Sequence, residues 1–373
     1  MRMPGLDLLR AIAVLWTMCF HSFLVGGLGE RWEWLQRYGW MGVDLFFVLS
    51  GFLIGSQVLA PLARGERFSF ADFYLRRAFR ILPAYWAIVA LYLLWPGFRE
   101  APGMEPWWKF AGFVLNLSID YDDNAVFSHA WSLCVEEHFY LLFPLLAVGF
   151  VRLRSKASVV AFLVTLLMGG IALRTAIWVH FDALQPGRNW FIEDIYYPTW
   201  NRLDGLLAGV GLAVWKIYRP QHWATCGRCA DLFLLVGVIT MGLSFWLFRE
   251  RAGLLGNSIG WPVLSAGLAM LVFAGAQREG WLGACAVPGA AWLAAVSYSL
   301  YLVHKPVFGL VEMYFGAVLQ GRGLFAFASY GVASLCAAAL LYYVVERPGL
   351  RLRDRLRHSH AERARPDASI AGA

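Results

Sequence analysis

The chain has 373 residues, of which 59% are hydrophobic and only 15% are charged. Soluble domains carry about a quarter charged residues, so this composition excludes an ordinary water-soluble protein and indicates one that crosses a membrane several times. The net charge of +7 does not indicate nucleic-acid binding, because the basic residues lie in short loops between apolar segments and in the C-terminal tail.

Apolar windows predict an all-α transmembrane bundle of about ten spans. In chain order they cover residues 8–27, 38–60, 79–96, 131–151, 157–179, 203–217, 231–248, 258–275, 289–313 and 324–345. The span at 203–217 is shorter than the roughly 20 residues that usually cross a bilayer. The apolar piece Trp107–Leu117 is shorter still and is expected to be re-entrant or interfacial.

The charges of the loops orient this predicted bundle. With ten spans, the basic loops after spans 2, 4 and 6 and the basic tail all lie on one side. The acidic stretch IDYDDN, residues 119–124, lies on the other side. Because loops rich in Lys and Arg stay in the cytoplasm, both termini are expected there.

The chain divides into one membrane domain, residues 1–348, and a basic tail, residues 349–373. No repeat of fixed period and no soluble domain is evident. The tail is polar, so we expect it to lack fixed structure and to lie in water or against lipid headgroups.

Cysteine usage predicts neither a disulfide framework nor a metal site. Cys226 and Cys229 form a CxxC pair, with His222 just upstream. A structural zinc site normally needs four ligands, and no second pair is evident. We therefore predict no bound metal.

The stretch LRAIAVLWTMCFHSF, in the first predicted span, carries two polar residues, Arg10 and His21. A helix turns about three full times between these positions, so both side chains are expected on one face, about 16 Å apart along the axis. Taken alone, Arg10 is also explained as a cation that snorkels to the membrane interface.

Titratable residues from four predicted spans share one depth near the outer side of the membrane. These residues are His21, Asp44, Glu136, Glu137 and His304. Ionisable groups inside a membrane are costly, so such a layer indicates a functional site. A buried histidine beside a carboxylate is suited to base catalysis near neutral pH. The alternative is that these groups only join helices through hydrogen bonds.

Seven segments resemble, in order, the motifs of acyltransferase family 3, the integral membrane acyltransferases. They are LRAIAVLWTMCFHSF, GVDLFFVLSGFLIG, FYLRRAFRILPAYW, WSLCVEEHFYLLFP, RLDGLLAGV, SYSLYLVHKPV and VERP. The chain departs from the family at Lys305, where a tryptophan is common. Some members also carry a C-terminal hydrolase-like domain outside the cytoplasm, and we expect none fused to this chain.

The resemblance implies acyl transfer, with acetyl the expected group, from cytoplasmic acyl-CoA to a hydroxyl of an envelope glycan, a lipid-linked sugar or a related acceptor. A bacterial inner membrane is the expected location. Coenzyme A is polyanionic, and arginine binds phosphate through paired hydrogen bonds. Four cytoplasmic arginines are therefore expected to bind the donor: Arg10, Arg76, Arg77 and Arg80. The alternative for Arg76, Arg77 and Arg80 is a topology signal alone.

The resemblance also places the chemistry on His21, as a base for the acceptor hydroxyl or as an acyl carrier. The sequence does not separate these two routes. Glu137 or Glu136 is expected to orient His21 or to help activate the acceptor. Further residues expected to line the substrate site are Asp44, Ser50, Trp131, Tyr298, Tyr301 and His304. Ion pairs at span ends are expected for Arg202 with Asp204 and for Glu346 with Arg347.

Two other classes of protein fit parts of the pattern. A polar layer in a ten-span bundle also suits a transporter or flippase, although matching broken helices in two related halves are not evident. A structural or sensory membrane protein is the other alternative, and the polar layer would then have no use. The acceptor, the acyl chain length and the oligomeric state are not encoded in any motif that we identify.

Overall fold

Helices form all the regular secondary structure of the computed structural model, which describes residues 3–153, 156–319 and 321–363. The α-helices are α1 (Pro4–Phe20), α2 (Glu33–Tyr38), α3 (Met41–Ala63), α4 (Phe70–Leu94), α5 (Trp107–Ala111), α6 (Trp131–Leu153), α7 (Lys156–Leu184), α8 (Asp204–Tyr218), α9 (Pro220–Gly227), α10 (Ala230–Leu247), α11 (Trp261–Ala276), α12 (Trp281–Ala284), α13 (Ala290–Leu319), α14 (Gly323–Leu341) and α15 (Arg347–Arg363). Short 3₁₀ and π segments connect several of them, including His21–Val25 after α1.

Nine helical segments within the described ranges are long and apolar enough to cross a membrane. They begin at Pro4, Glu30, Phe70, Ser128, Ser158, Ala230, Gly256, Ala290 and Gly323. The all-α polytopic prediction is therefore confirmed. The remaining predicted span, residues 203–217, is α8, whose 15 residues give a length of about 22 Å, less than the roughly 30 Å of a hydrocarbon core.

Helix α8, although short, packs closely against α3, with the backbones of the two helices in contact. A Cβ atom added to Gly51 would lie 2.2 Å from the carbonyl oxygen of Leu206, and one added to Gly209 would lie 2.2 Å from that of Val48. Such distances are far below van der Waals contact. The two helices can therefore approach this closely only because both positions are glycine, as at other small-residue contacts in membranes.

Replacing Gly209 with alanine should push α8 away from α3 and lower the free energy of unfolding by about 1–3 kcal/mol, the usual cost of overpacking. Gly211 lies on the same helix, and a Cβ there would meet no atom within 4 Å. Gly211→Ala is therefore the matched control. Thermal unfolding of the two variants in detergent measures the difference, and equal unfolding temperatures would show that the close contact does not limit stability.

The C-terminal segment forms a helix up to Arg363, whereas the sequence predicted a tail without fixed structure from residue 349. Helix α15 docks on α4, because a Cβ at Gly349 would lie 3.2 Å from Cγ of Pro83 and 3.3 Å from the carbonyl oxygen of Phe79. Residues 364–373 of the tail lie outside the described residues.

Candidate active site

A cavity of about 400 Å³ lies between six helices: α1, α3, α4, α6, α13 and α15. This volume is within the range of small-molecule sites, about 300–1,000 Å³. The cavity brings charged groups together from segments that are far apart in the chain. It is therefore the candidate active site.

Five arginines line the cavity, and we call them the arginine cluster: Arg10, Arg76, Arg77, Arg80 and Arg353. Arg76 pairs with Asp72 at 3.0 Å, and the guanidinium carbon of Arg77 lies 3.8 Å from the ring centroid of Tyr140. The Nε atoms of Arg76 and Arg77 are buried without a hydrogen-bond partner among the described residues. Buried donors normally have partners, so this cluster is suited to receive an anion.

Glu136 accepts hydrogen bonds from Ser50 and Tyr140 at the cavity wall. Ser50 Oγ donates to Glu136 Oε1 at 2.8 Å, and Tyr140 OH donates to Glu136 Oε2 at 2.8 Å. The two hydroxyl oxygens are 2.9 Å apart. Glu137, the next residue, also lines the cavity. The arginine cluster thus shares the cavity with two carboxyl groups.

A histidine cluster, formed by His21, His129 and His304, lies beside the cavity. Nε2 of His304 is 2.9 Å from Nδ1 of His21, and the ring centroids of His129 and His304 are 5.2 Å apart. Tyr301 lines the cavity and touches this cluster, since its hydroxyl donates to the carbonyl oxygen of His129 at 2.8 Å. Tyr301 therefore connects the cavity to the histidines.

The hydrogen bonds of the histidine pair define the tautomers of the neutral rings. Nδ1 of His304 is 2.8 Å from the carbonyl oxygen of Tyr301, which can only accept, so this nitrogen carries the proton. Nε2 of a neutral His304 then accepts from Nδ1–H of His21. It follows that Nε2 of His21 has no proton and presents a lone pair.

Lys305, the departure from the family pattern, is satisfied by a buried ion pair. Its Nζ atom lies 3.1 Å from Oε1 of Glu100 and donates to Oγ of Ser128 at 3.1 Å. The side chains of Lys305 and Glu100 are 7% and 2% exposed. A buried ammonium is tolerated only with such partners, so the lysine is built into the fold next to His304.

The cavity contains most, but not all, of the residues predicted for the site. Its walls include Arg10, Ser50, Arg76, Arg77, Arg80, Glu136, Glu137, Tyr298 and Tyr301. His21 and His304 lie outside the walls, in the histidine cluster. The expected pairing of His21 with Glu136 or Glu137 is not what the hydrogen bonds show, because His21 bonds to His304 and Glu136 bonds to Ser50 and Tyr140. Helix α1 also ends at Phe20, so the helical phase from Arg10 does not continue beyond His21.

Asp44 and Trp131, expected to line the substrate site, instead surround Arg202. Asp44 Oδ1 is 2.7 Å from Nη2 of Arg202, and the guanidinium carbon lies 4.9 Å from the ring centroid of Trp131 and 3.9 Å from that of Trp261. Asp44 and Trp131 therefore contact Arg202, which precedes α8, and neither is among the residues that line the cavity.

Two predicted ion pairs at span ends also have other partners. Asp204 pairs with Arg174 through two hydrogen bonds of 2.8 and 3.2 Å. Arg202 forms its ion pair with Asp44 instead. Glu346 accepts from Ser299 at 2.7 Å, and Arg347 lies over the ring of Tyr343. Arg174, Asp44 and Ser299 come from other helices, and no local spacing reveals them, whereas Tyr343 precedes Arg347 by four residues.

Sequence reasoning missed three residues of the site: Tyr140, His129 and Arg353. Tyr140 follows Glu136 by one helical turn, so the spacing alone could have paired them. His129 precedes the predicted fourth span, and Arg353 belongs to the predicted tail. Neither therefore carried a signal of burial. Within the described ranges, no group of three His, Cys, Asp or Glu residues could hold a metal ion.

The fold and the site together define a polytopic α-helical membrane protein with a polar, arginine-lined cavity. Residues 3–343 match the acyltransferase domain. The chain therefore belongs to this family of membrane acyltransferases, as its motifs predicted. No solved structure matches the chain significantly.

Similar proteins include bacterial O-acetyltransferases. Over 92% of its length the chain is 28% identical to "Putative peptidoglycan O-acetyltransferase YrhL" of Bacillus subtilis, and over 93% it is 26% identical to O-acetyltransferase OatA of Staphylococcus aureus. It is also 25% identical, over 82%, to peptidoglycan O-acetyltransferase OatA of Listeria monocytogenes. These matches cover 54%, 57% and 49% of the relatives, so the chain spans about half their length.

Proposed function

We propose that this chain transfers an acyl group, acetyl in the first instance, from cytoplasmic acyl-CoA to a hydroxyl of an envelope glycan or lipid-linked sugar. One observation carries the proposal. A single cavity contains the arginine cluster and two carboxyl groups, and Tyr301 in its wall contacts the histidine cluster, in which His304 bonds to His21. The relatives' names make peptidoglycan the first acceptor to test.

The arginine cluster supports the assignment of acyl-CoA as donor. Coenzyme A carries a diphosphate and a 3′-phosphate, and guanidinium groups bind phosphate with two parallel hydrogen bonds. Orphaned Nε donors on Arg76 and Arg77 provide such bonds. A donor whose phosphates bind the arginine cluster would place its thioester within the same cavity as Glu136, Glu137 and Tyr301.

The histidine cluster supports base catalysis by His21. In this reaction, the acceptor O–H gives its proton to Nε2 of His21 while the acceptor oxygen bonds to the thioester carbonyl carbon. The C–S bond breaks, and the CoA thiolate takes up a proton to leave as free CoA. Glu137, which lines the cavity, is proposed to supply that proton from its carboxyl group, and the proton taken up by His21 then restores it. His304 holds His21 in the tautomer that the reaction needs.

The arginine cluster is proposed to face the cytoplasm, with both ends of the chain on that side of a bacterial inner membrane. Arg76 and Arg77 adjoin the basic loop after α3, and loops rich in arginine stay in the cytoplasm. Acyl-CoA is a cytoplasmic metabolite, so this orientation gives the donor access to the cavity.

Labelled acetyl-CoA tests the function and the orientation in one assay. Inverted inner-membrane vesicles that contain the protein and an envelope-glycan acceptor should incorporate label when donor is added outside. Right-side-out vesicles should not use the same external donor. Failure of the purified, lipid-reconstituted protein to transfer label to any envelope glycan would overturn the proposed function, and transfer in right-side-out vesicles alone would overturn the orientation.

A further inference from the structure

We infer that helix α15 is a wall of the donor site and that Arg353 binds the phosphates at the nucleotide end of acyl-CoA. The inference rests on the proposed function for the identity of the donor. It extends that function to a segment whose sequence predicts only a loose, solvated tail. The inference is based on the anchoring of α15, on the direction of the Arg353 side chain and on the groups around its guanidinium.

The start of α15 is anchored to two helices that line the cavity. Glu346, the residue before the helix, accepts a hydrogen bond of 2.7 Å from Ser299 of α13 and is 1% exposed. Three residues later, Gly349 packs closely against Phe79 and Pro83 of α4, where an added Cβ would lie 3.2 Å from Cγ of Pro83. The first turns of α15 are therefore held in a fixed position next to the cavity.

Arg353 is the residue of α15 that reaches the cavity. It lines the cavity with Arg76, Arg77 and Arg80, and its side chain is 22% exposed. Arg351 and Arg355, two positions to either side, are exposed. A helix turns by about 100° per residue, so these neighbours point well away from the direction of Arg353.

The guanidinium group of Arg353 retains donors for a ligand. Its Nε and Nη2 atoms both lie 2.8 Å from Oδ1 of Asp354, which fixes the orientation of the group and leaves Nη1 free of this contact. The surrounding arginines offer no acceptor, so an anion is the complementary ligand. Five guanidinium groups and two carboxyl groups line the cavity, and Asp72 and Asp354 pair with Arg76 and Arg353.

The position of Arg353 identifies the part of the donor that it meets. The reacting thioester must reach the carboxyl groups and the histidine cluster on the inner helices, so the opposite end of the molecule remains among the arginines. In acyl-CoA that end carries the diphosphate and the 3′-phosphate of the nucleotide, whereas the pantetheine arm is uncharged. Arg353 should therefore distinguish donors with phosphates from donors without them.

Binding measurements on the full chain in lipid nanodiscs test this inference. Arg353→Ala should weaken CoA binding about tenfold, the effect of losing one charge-assisted hydrogen bond of about 1.5 kcal/mol. Binding of acetyl-pantetheine, which lacks the phosphates, should stay unchanged. Arg353→Lys, which keeps the charge, should recover part of the loss. Arg351→Ala removes an exposed arginine from the same helix and is the matched control, with wild-type affinity expected.

The outcomes separate this inference from the proposed function. If the wild type binds CoA and Arg353→Ala binds it no more weakly than Arg351→Ala does, the role of Arg353 is overturned and the proposed donor stands. An equal loss for acetyl-pantetheine would mean that the variant disturbs the whole site, which also overturns a phosphate contact. A wild type that binds no CoA in this assay would overturn the donor assignment itself.

Discussion

Replacing His21 with alanine should reduce acyl transfer at least a hundredfold, because general base catalysis typically contributes about 10²–10⁴-fold to the rate. The variant loses the ring nitrogen that, in neutral tautomers, carries a lone pair and no proton. Donor binding should stay near the wild-type level, because His21 is outside the arginine cluster. Initial rates with labelled acetyl-CoA, combined with CoA binding to the same preparations, separate these two effects.

His180→Ala is the control for this experiment, because it removes an exposed histidine from α7 that has no part in the site. Wild-type rates in His21→Ala would show that the histidine cluster is structural. The same label also distinguishes the two chemical routes. Label retained on the wild-type protein without acceptor, and lost in His21→Ala, would favour an acyl-histidine intermediate over direct base catalysis.

Replacing Arg202 with alanine should cost about 3–5 kcal/mol of folding free energy, the usual penalty for leaving one member of a buried ion pair unpaired. Asp44 would keep its charge without a partner, and both residues are almost fully buried, at 3% and 2% exposed. The aromatic rings around Arg202 would also lose their cation, 3.9 Å from the Trp261 ring centroid and 4.4 Å from that of Tyr196. Thermal unfolding in detergent and the yield of folded protein measure the loss.

Arg219→Ala is the matched control, because it removes an exposed arginine just beyond α8. Equal unfolding temperatures for the two variants would contradict the structural role of Arg202. A double variant, Asp44→Leu with Arg202→Met, should recover much of the stability, because replacing a whole buried pair by apolar groups is often neutral. Recovery would show that the unpaired charge, and not the lost volume, causes the damage.

The fold was largely predictable because the hydrocarbon core imposes a strong length and polarity rule on each span. Nine of the predicted spans coincide with long apolar helices in the described residues. Helix α8 is the exception to this length rule, because it has only 15 residues and packs closely against α3.

The sequence predicted the membrane depth of the candidate site residues, but not the direction in which each side chain points from its helix. Depth placed Asp44 level with Glu136, yet one faces Arg202 and the other faces the cavity. Which neighbour a side chain meets depends on the rotation of its helix and on which helices pack together. His21 adds a further change of direction, because the chain leaves the α-helix at that residue. Sequence periodicity within one span contains none of this information.

The contact between α3 and α8 also has a consequence for how the protein is made. The glycines of α3 leave the ribosome before those of α8, because four helices, α4 to α7, lie between the two in the chain. The contact between α3 and α8 can therefore form only after α4 to α7 have been synthesised. Helix α3 is therefore in the bilayer before α8 is made, and its glycine surface is not yet covered by α8. When α8 is made, the surface of α3 that it packs against is already present, although α8 itself is shorter than a typical span.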